Sequence, residues 1–216
     1  MYKRQPWAWL DEGRTSEATR RAFEAALDVL RDLGATIVDI TLPPLEAYND
    51  AKKIIAMSEL FAIHGPDLRT RPELFGESLR YRVIAGGLVR AEEYLLAQRA
   101  RSDLARAMQE AFAQVEVIML PTGEPAGRLQ PEHPASTFTR PSYTAPFSLA
   151  GNPALSVCSG FDDAGLPFGL QIVGRLFGEA SVLCAGDAYE RATPWRQRRP
   201  ALGQPMTSRL GQVPPA

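Results

Sequence analysis

A serine, cysteine or lysine side chain attacks a carbonyl carbon only when a base stands within hydrogen-bond reach to take its proton. The residues available for such chemistry are few here: His64 and His133, Cys158 and Cys184, and the lysines Lys3, Lys52 and Lys53. A cysteine–histidine pair would make a thiol hydrolase, but the four residues are scattered without a motif. Cys158, inside an apolar run, reads more simply as a small core residue. No two serines are adjacent anywhere, and no glycine-rich serine loop occurs. Asp162-Asp163 supplies two neighbouring carboxylates. They sit in Asp162-Asp163-Ala164-Gly165, where aspartate serves a turn through its own hydrogen bonds. Arg191, Arg196, Arg198 and Arg199 cluster beside Trp195 and read as a solvated chain end rather than a phosphate or nucleic-acid site. No catalytic or metal-ligating residue is assigned in this chain.

The totals narrow the classes further. The sequence has 216 residues, 45% hydrophobic and 23% charged, the balance of a globular protein with a sizeable core rather than a disordered one. Its 24 basic and 25 acidic residues nearly cancel, so neither nucleic acid nor a membrane is expected as partner. Two cysteines 26 positions apart suggest neither a disulfide framework nor a zinc cluster. A reducing cytoplasm fits that usage, and the first ten residues lack the apolar centre of a signal peptide. The longest uncharged run, 141–161, is broken by Pro141, Pro146, Pro153, Gly151 and Gly160. It cannot be one spanning helix and reads instead as chain buried in the interior.

The elements that would position a site follow from periodicity. Ala22, Phe23, Ala26, Leu27, Leu30 and Leu33 fall on one helical face within 15–33, with Thr15 or Ser16 to cap its start and Gly34 to end it. The β-branched run 36–41 is a strand stopped by Pro43-Pro44. Helices are expected over 45–64, with Gly65-Pro66 as a turn, over part of 73–84, and over 91–115, the last packing along a sheet. Residues 116–120 read as a buried strand closed by Pro121, and 122–142 as a long loop. Residues 154–159 and 168–173 read as an antiparallel hairpin, 179–192 as a helix, and 200–216 as a frayed tail. The fold class is therefore α/β, a partial mixed sheet flanked by helices. The division expected is an N-terminal remnant over 1–14, one domain over 15–192, and a tail over 193–216.

The stretch from Tyr143-Thr144-Ala145-Pro146-Phe147-Ser148-Leu149-Ala150-Gly151-Asn152-Pro153 through Ala154-Leu155-Ser156-Val157, with Gly160-Phe161 and Gly165-Leu166-Pro167-Phe168-Gly169-Leu170-Gln171-Ile172-Val173-Gly174, resembles the C-terminal segment of amidase-signature enzymes. The resemblance extends over about 15–192 and includes the Pro121-Thr122 strand end and the junction at Gly34. Ser148 and Cys158 depart from it, standing where the family often has Asn and Pro. The motif also has a direct physical reading: Pro153 steers Asn152 away from helix and gives a tight entry into a buried strand.

The resemblance implies the C-terminal part of the amidase-signature fold, and a parent reaction in which a carboxamide is hydrolysed through an acyl-serine, with no metal or cofactor. The family's nucleophile sits in a Gly-Gly-Ser-Ser-Gly-Gly-type loop, activated through a second serine by a neutral lysine. That set is absent here, so by resemblance it belongs to the N-terminal half of the full enzyme, and the chain is expected to be a fragment inactive alone. The partners implied are that N-terminal half or a separate catalytic subunit, a small amide substrate, and a second copy in a homodimer. An alternative is a non-catalytic binding subunit of an amidase or amidotransferase complex. The family places the uncharged segment near the substrate cavity, which makes Phe147 and Asn152 the substrate-binding candidates beside their reading as packing residues.

Overall fold

The computed structural model describes residues 2–5, 7–125 and 141–199, with backbone alone for 2–5. Its elements run β1 (Tyr2–Gln5), α1 (Trp7–Glu12), α2 (Glu17–Asp32), β2 (Thr36–Asp39), α3 (Leu45–Thr70), α4 (Glu77–Gly86), α5 (Ala91–Phe112), β3 (Val117–Pro121), α6 (Ala145–Ala150), β4 (Ala154–Phe161), β5 (Pro167–Gly174) and α7 (Glu179–Ala192). Short 3₁₀ turns occupy Pro72–Leu74 and Trp195–Gln197.

The described sheet is mixed, in the order β2-β1-β3-β5-β4. β1 runs parallel to β2 and β3, while β5 is antiparallel to β3 and β4. The 154–173 hairpin therefore forms as expected. Asp162 Oδ1 accepts from the Leu166 amide at 2.7 Å, and Gly165 takes the left-handed conformation that closes the turn. A strand not foreseen, β1, lies between β2 and β3, so the first fourteen residues hold both a central strand and α1.

Helix α2 begins where its sequence says. Ser16 Oγ accepts from the Thr19 amide, and Gly34 is left-handed beyond its end. Phe23, Ala26, Leu27 and Leu30 are buried, and α2 and α7 lie against the sheet. Helix α5 differs from expectation. It stops at Phe112, and it packs mainly on α3 and α6 rather than along the sheet. Its apolar stripe meets helices because the uncharged segment folds into α6, an element periodicity did not show.

Helix α3 is the larger correction. It runs through Gly65-Pro66 to Thr70 instead of stopping at His64. Gly65 has no Cβ to clash with the proline ring, which relieves the restriction a proline places on the residue before it. The lost amide donor and the ring's crowding of the preceding turn remain, and they are offset by packing: α4 lies so close that a Cβ on Gly86 would stand 1.9 Å from the Met57 carbonyl oxygen. The expected helix within 73–84 starts at Glu77, after the 3₁₀ turn, and ends at Gly86.

One core joins these layers. Trp9, Tyr48 and Phe147 form its aromatic centre, with Trp9 edge-on to Tyr48 at 5.4 Å and tilted over Phe147 at 6.1 Å. Val117, Ile118, Met119, Leu120, Ile172 and Val173 are fully buried strand residues.

Candidate functional site

The segment between Pro141 and Asn152 is the part of the uncharged run that folds into α6 and the stretch leading into it. Six residues of α6 are too few for a helix to hold itself. Pro146 presets the first turn, and left-handed Gly151 ends it, with the Gly151 and Asn152 amides both donating to the Phe147 carbonyl. The rest of the support comes from elsewhere. Asn49 of α3, itself buried, accepts from the Ser142 amide through Oδ1 at 2.9 Å and donates through Nδ2 to the Ser142 carbonyl at 3.3 Å. Gln171 of β5, also buried, donates to the Tyr143 carbonyl at 2.9 Å and the Pro121 carbonyl at 3.3 Å. Arg101 of α5 donates to the Leu149 carbonyl at 2.9 Å, meeting an orphan acceptor of the helix end.

Alternation then sorts the side chains. Tyr143 points inward beneath the turn joining α1 to α2, so close that a Cβ on Gly13 would stand 1.9 Å from its hydroxyl. That hydroxyl pairs with Thr15 Oγ1. Burial raises the Tyr143 pKa, and the hydrogen bond to Thr15 partly counters it. Ser142 and Thr144 point the other way, their hydroxyls 2.9 Å apart on an exposed edge. A recess of about 570 Å³ is bordered by Glu12, Arg14, Leu45, Glu46, Asn49, Lys53 and Pro141.

A second recess of about 380 Å³ opens at the C-terminal end of β3, among Thr122, Gly123, Glu124, Ser156, Cys158, Phe168 and Gly169. Thr122 donates its amide to the Gly169 carbonyl at 2.8 Å and shares a hydroxyl contact with Ser156 at 3.1 Å. Glu124 reaches back to the start of α2, accepting from the Ser16 amide at 2.8 Å and from the Ser16 and Thr19 hydroxyls at 2.5 and 2.6 Å. Burial raises its pKa, but those three donors outweigh burial and hold the carboxyl below its ordinary range.

The residues singled out in the sequence are now placed. Phe147 is 1% exposed, under Trp9, and secures α6 to the core. Asn152 donates through Nδ2 to the Gly174 carbonyl at 2.8 Å, and its buried Oδ1 has no hydrogen-bond partner among the described residues. The two stand at either end of the last turn of α6. Cys158 is half-buried beside the bulge that shifts register between Cys158 and Gly160, so it is less of a core residue than its apolar run suggests. Cys184 is exposed, His64 lies edge-on to Phe75 at 5.9 Å, and His133 falls outside the described residues. Lys53 pairs with Asp50 at 3.3 Å. Among the described residues no lysine or histidine is hydrogen-bonded to a serine hydroxyl or a thiol, and no group of three or more His, Cys, Asp or Glu side chains could hold a metal ion. What the described residues present instead are two hydroxyl pairs, Ser142 with Thr144 and Thr122 with Ser156.

Sequence reasoning missed Asn49, Gln171, Arg101 and Glu124. Gln171 carried a usable signal, since a lone amide in the apolar run 168–173 must find a buried partner. The others gave none, because their partners are remote in sequence.

The sequence model of the Amidase family matches residues 8–183. The chain belongs to the amidase family. The A subunit of glutamyl-tRNA(Gln) amidotransferase from Synechococcus elongatus is 34% identical to it over 220 residues, covering 89% of this chain and 46% of that protein. A solved amidase matches the fold with a TM-score of 0.79 and 28% identity, covering 88% of this chain and 45% of its own. The corresponding amidotransferase polypeptide of Thermotoga maritima matches with a TM-score of 0.64 and 27% identity, covering 90% of this chain and 43% of its own. The chain thus spans under half the length of these relatives, and its fold corresponds to part of the amidase-signature fold.

Proposed function

We propose that this chain forms one wall of an amide-hydrolysing site and that the serine and lysine performing the chemistry come from a complementary N-terminal half of the same fold, on the same protein or on a separate polypeptide. The observation that carries this is the pairing of coverage with composition. The match takes in nearly all of this chain and less than half of each relative, while the chain contains no Ser-Ser pair and no glycine-rich serine loop.

The reaction is hydrolysis of a small carboxamide through an acyl-serine, in the cytoplasm, with no metal or cofactor. The wall this chain contributes is the segment 141–152. Phe147 keeps α6 in place from beneath, and Asn152 ties the end of the segment to β5 through the Gly174 carbonyl. The folding unit extends beyond 15–192 to include β1, which pairs with β2 and β3, and α1, whose Trp9 and Leu10 are buried in the core. No described helix is long and apolar enough to cross a membrane. Exposed apolar side chains include Ile63 of α3, Ile84 of α4, Leu88 before α5, Leu95 and Leu96 of α5, and Phe177. Monomers rarely leave large apolar patches uncovered, and the complementary half, or a second copy in its absence, is their natural cover.

The test is direct. The purified chain should hydrolyse no simple amide or ester and take up no serine-directed phosphonate. Stoichiometric labelling at any serine would overturn the proposal.

A further inference from the structure

We propose that Asn49 is a positioning residue for this site: its side-chain amide holds the Ser142 peptide so that the Ser142–Thr144 hydroxyl pair is the polar edge this chain presents to the substrate. The inference rests on the amidase reading above and adds to it which groups meet the substrate and what aims them.

The geometry of the clamp is specific. Asn49 is 4% exposed and grips both polar groups of one residue, the Ser142 N–H and C=O, as a neighbouring strand would. Its Nδ2 also donates to the Leu45 carbonyl at 2.9 Å, one turn back in its own helix. That bond fixes which way the amide faces, so Oδ1 is left to receive the Ser142 N–H. The next residue is held from the opposite element, where Gln171 donates to the Tyr143 carbonyl. Two buried amides, from α3 and β5, thus define two consecutive residues of a segment that makes no strand pairing of its own among the described residues.

The consequence is an aimed pair of hydroxyls. With the Ser142 and Tyr143 backbones fixed and the Tyr143 ring locked under Gly13, Ser142 Oγ and Thr144 Oγ1 emerge on the same side at 2.9 Å from one another. Each hydroxyl can donate and accept. The pair therefore suits a carboxamide, which offers one acceptor and a donor N–H₂ at fixed separation. Small displacements of such groups are costly, because a positioned contact loses its value within about an ångström. Burying a whole asparagine to hold one residue is likewise expensive unless every bond is made. Here Asn49 uses both Oδ1 and Nδ2.

The experiment uses the full chain together with an N-terminal half of the family bearing the serine loop. In the chain, Asn49→Leu should accelerate hydrogen exchange of the Ser142 amide while β4–β5 amides stay protected, and Asn49→Asp, which keeps the Oδ1 acceptor, should show a smaller acceleration. In the assembled enzyme, KM per phosphonate-titrated active site should rise about tenfold or more in Asn49→Leu and in the double variant Ser142→Ala, Thr144→Val, with kcat changed far less. A role confined to folding would lower the number of titratable sites and leave KM alone, and that result would overturn the inference. Turnover by the wild-type assembly with unchanged KM in the double variant would do the same while leaving the amidase reading intact. Absence of turnover in the wild-type assembly would sink the amidase reading and this inference with it.

Discussion

The β4–β5 hairpin and the Ser142–Asn152 segment are neighbours in the core, yet they are held by opposite means. In the hairpin the bonds that define the turn join residues three or four positions apart: Asp162 to Gly165 and to Leu166. In the segment the decisive bonds span 93 positions to Asn49, 48 to Arg101, 28 to Gln171 and 128 to Thr15. A local turn can be written in four residues. A segment held by four remote partners takes its shape only once those partners are in place, and it is this second kind of region that is proposed to border the substrate.

The largest expected effect tests whether the segment depends on the core beneath it. Phe147→Ala removes an aromatic side chain that is 1% exposed, and should cost about 3–5 kcal/mol in urea unfolding, with α6 amides losing exchange protection before those of the hairpin. Equal loss of protection in both regions would erase the distinction between them.

Gln171→Leu tests the bridge between the two regions, since the residue belongs to β5 but its amide serves the Tyr143 and Pro121 carbonyls. Stability should fall by about 1–3 kcal/mol, because buried acceptors lose their donor, and the Tyr143–Thr144 backbone should shift while β5 pairing persists. Asp162→Ala should cost about 1 kcal/mol and change exchange only at Leu166 and its turn neighbours. Effects of Asp162→Ala that reach α6 would show the hairpin is not the local unit described.

The smallest effect is a pH dependence. Glu124 has a folded pKa below its unfolded value of about 4.3, so its contribution to stability is present above that value and is lost as pH falls through the folded pKa. The Tm advantage of wild type over Glu124→Gln should therefore be steady near neutrality and shrink in acid. A gap independent of pH would mean the hydroxyl contacts at Ser16 and Thr19 act without the charge.

What could be read from the sequence follows the same division. The α2 cap at Ser16, the end at Gly34, the hairpin and α7 were legible because each is specified by residues close together. Helix α6 was not, because Pro141, Pro146 and Gly151 mark a short segment without saying whether it coils, and the amides that settle the matter lie on α3 and β5. The path of α3 through Pro66 was hidden for a related reason: Gly65-Pro66 is a turn signal on its own, overridden here by α4 packed against Met57 through Gly86. Phe147 and Asn152 were nominated as site candidates through the motif. Asn49, Gln171, Arg101 and Glu124 were not, since their meaning is tertiary.

The proposal is that this chain carries a substrate wall without the nucleophile. It is tested most directly by measuring amide turnover of the chain alone and after co-folding with an N-terminal half of the family that carries the glycine-rich serine loop, with light scattering to follow association. The expected result is no turnover and a self-associating species for the chain alone, and a soluble assembly with turnover after co-folding. Turnover by the chain alone, or a dispersed monomer that binds no hydrophobic dye and gains nothing from the added half, would contradict it.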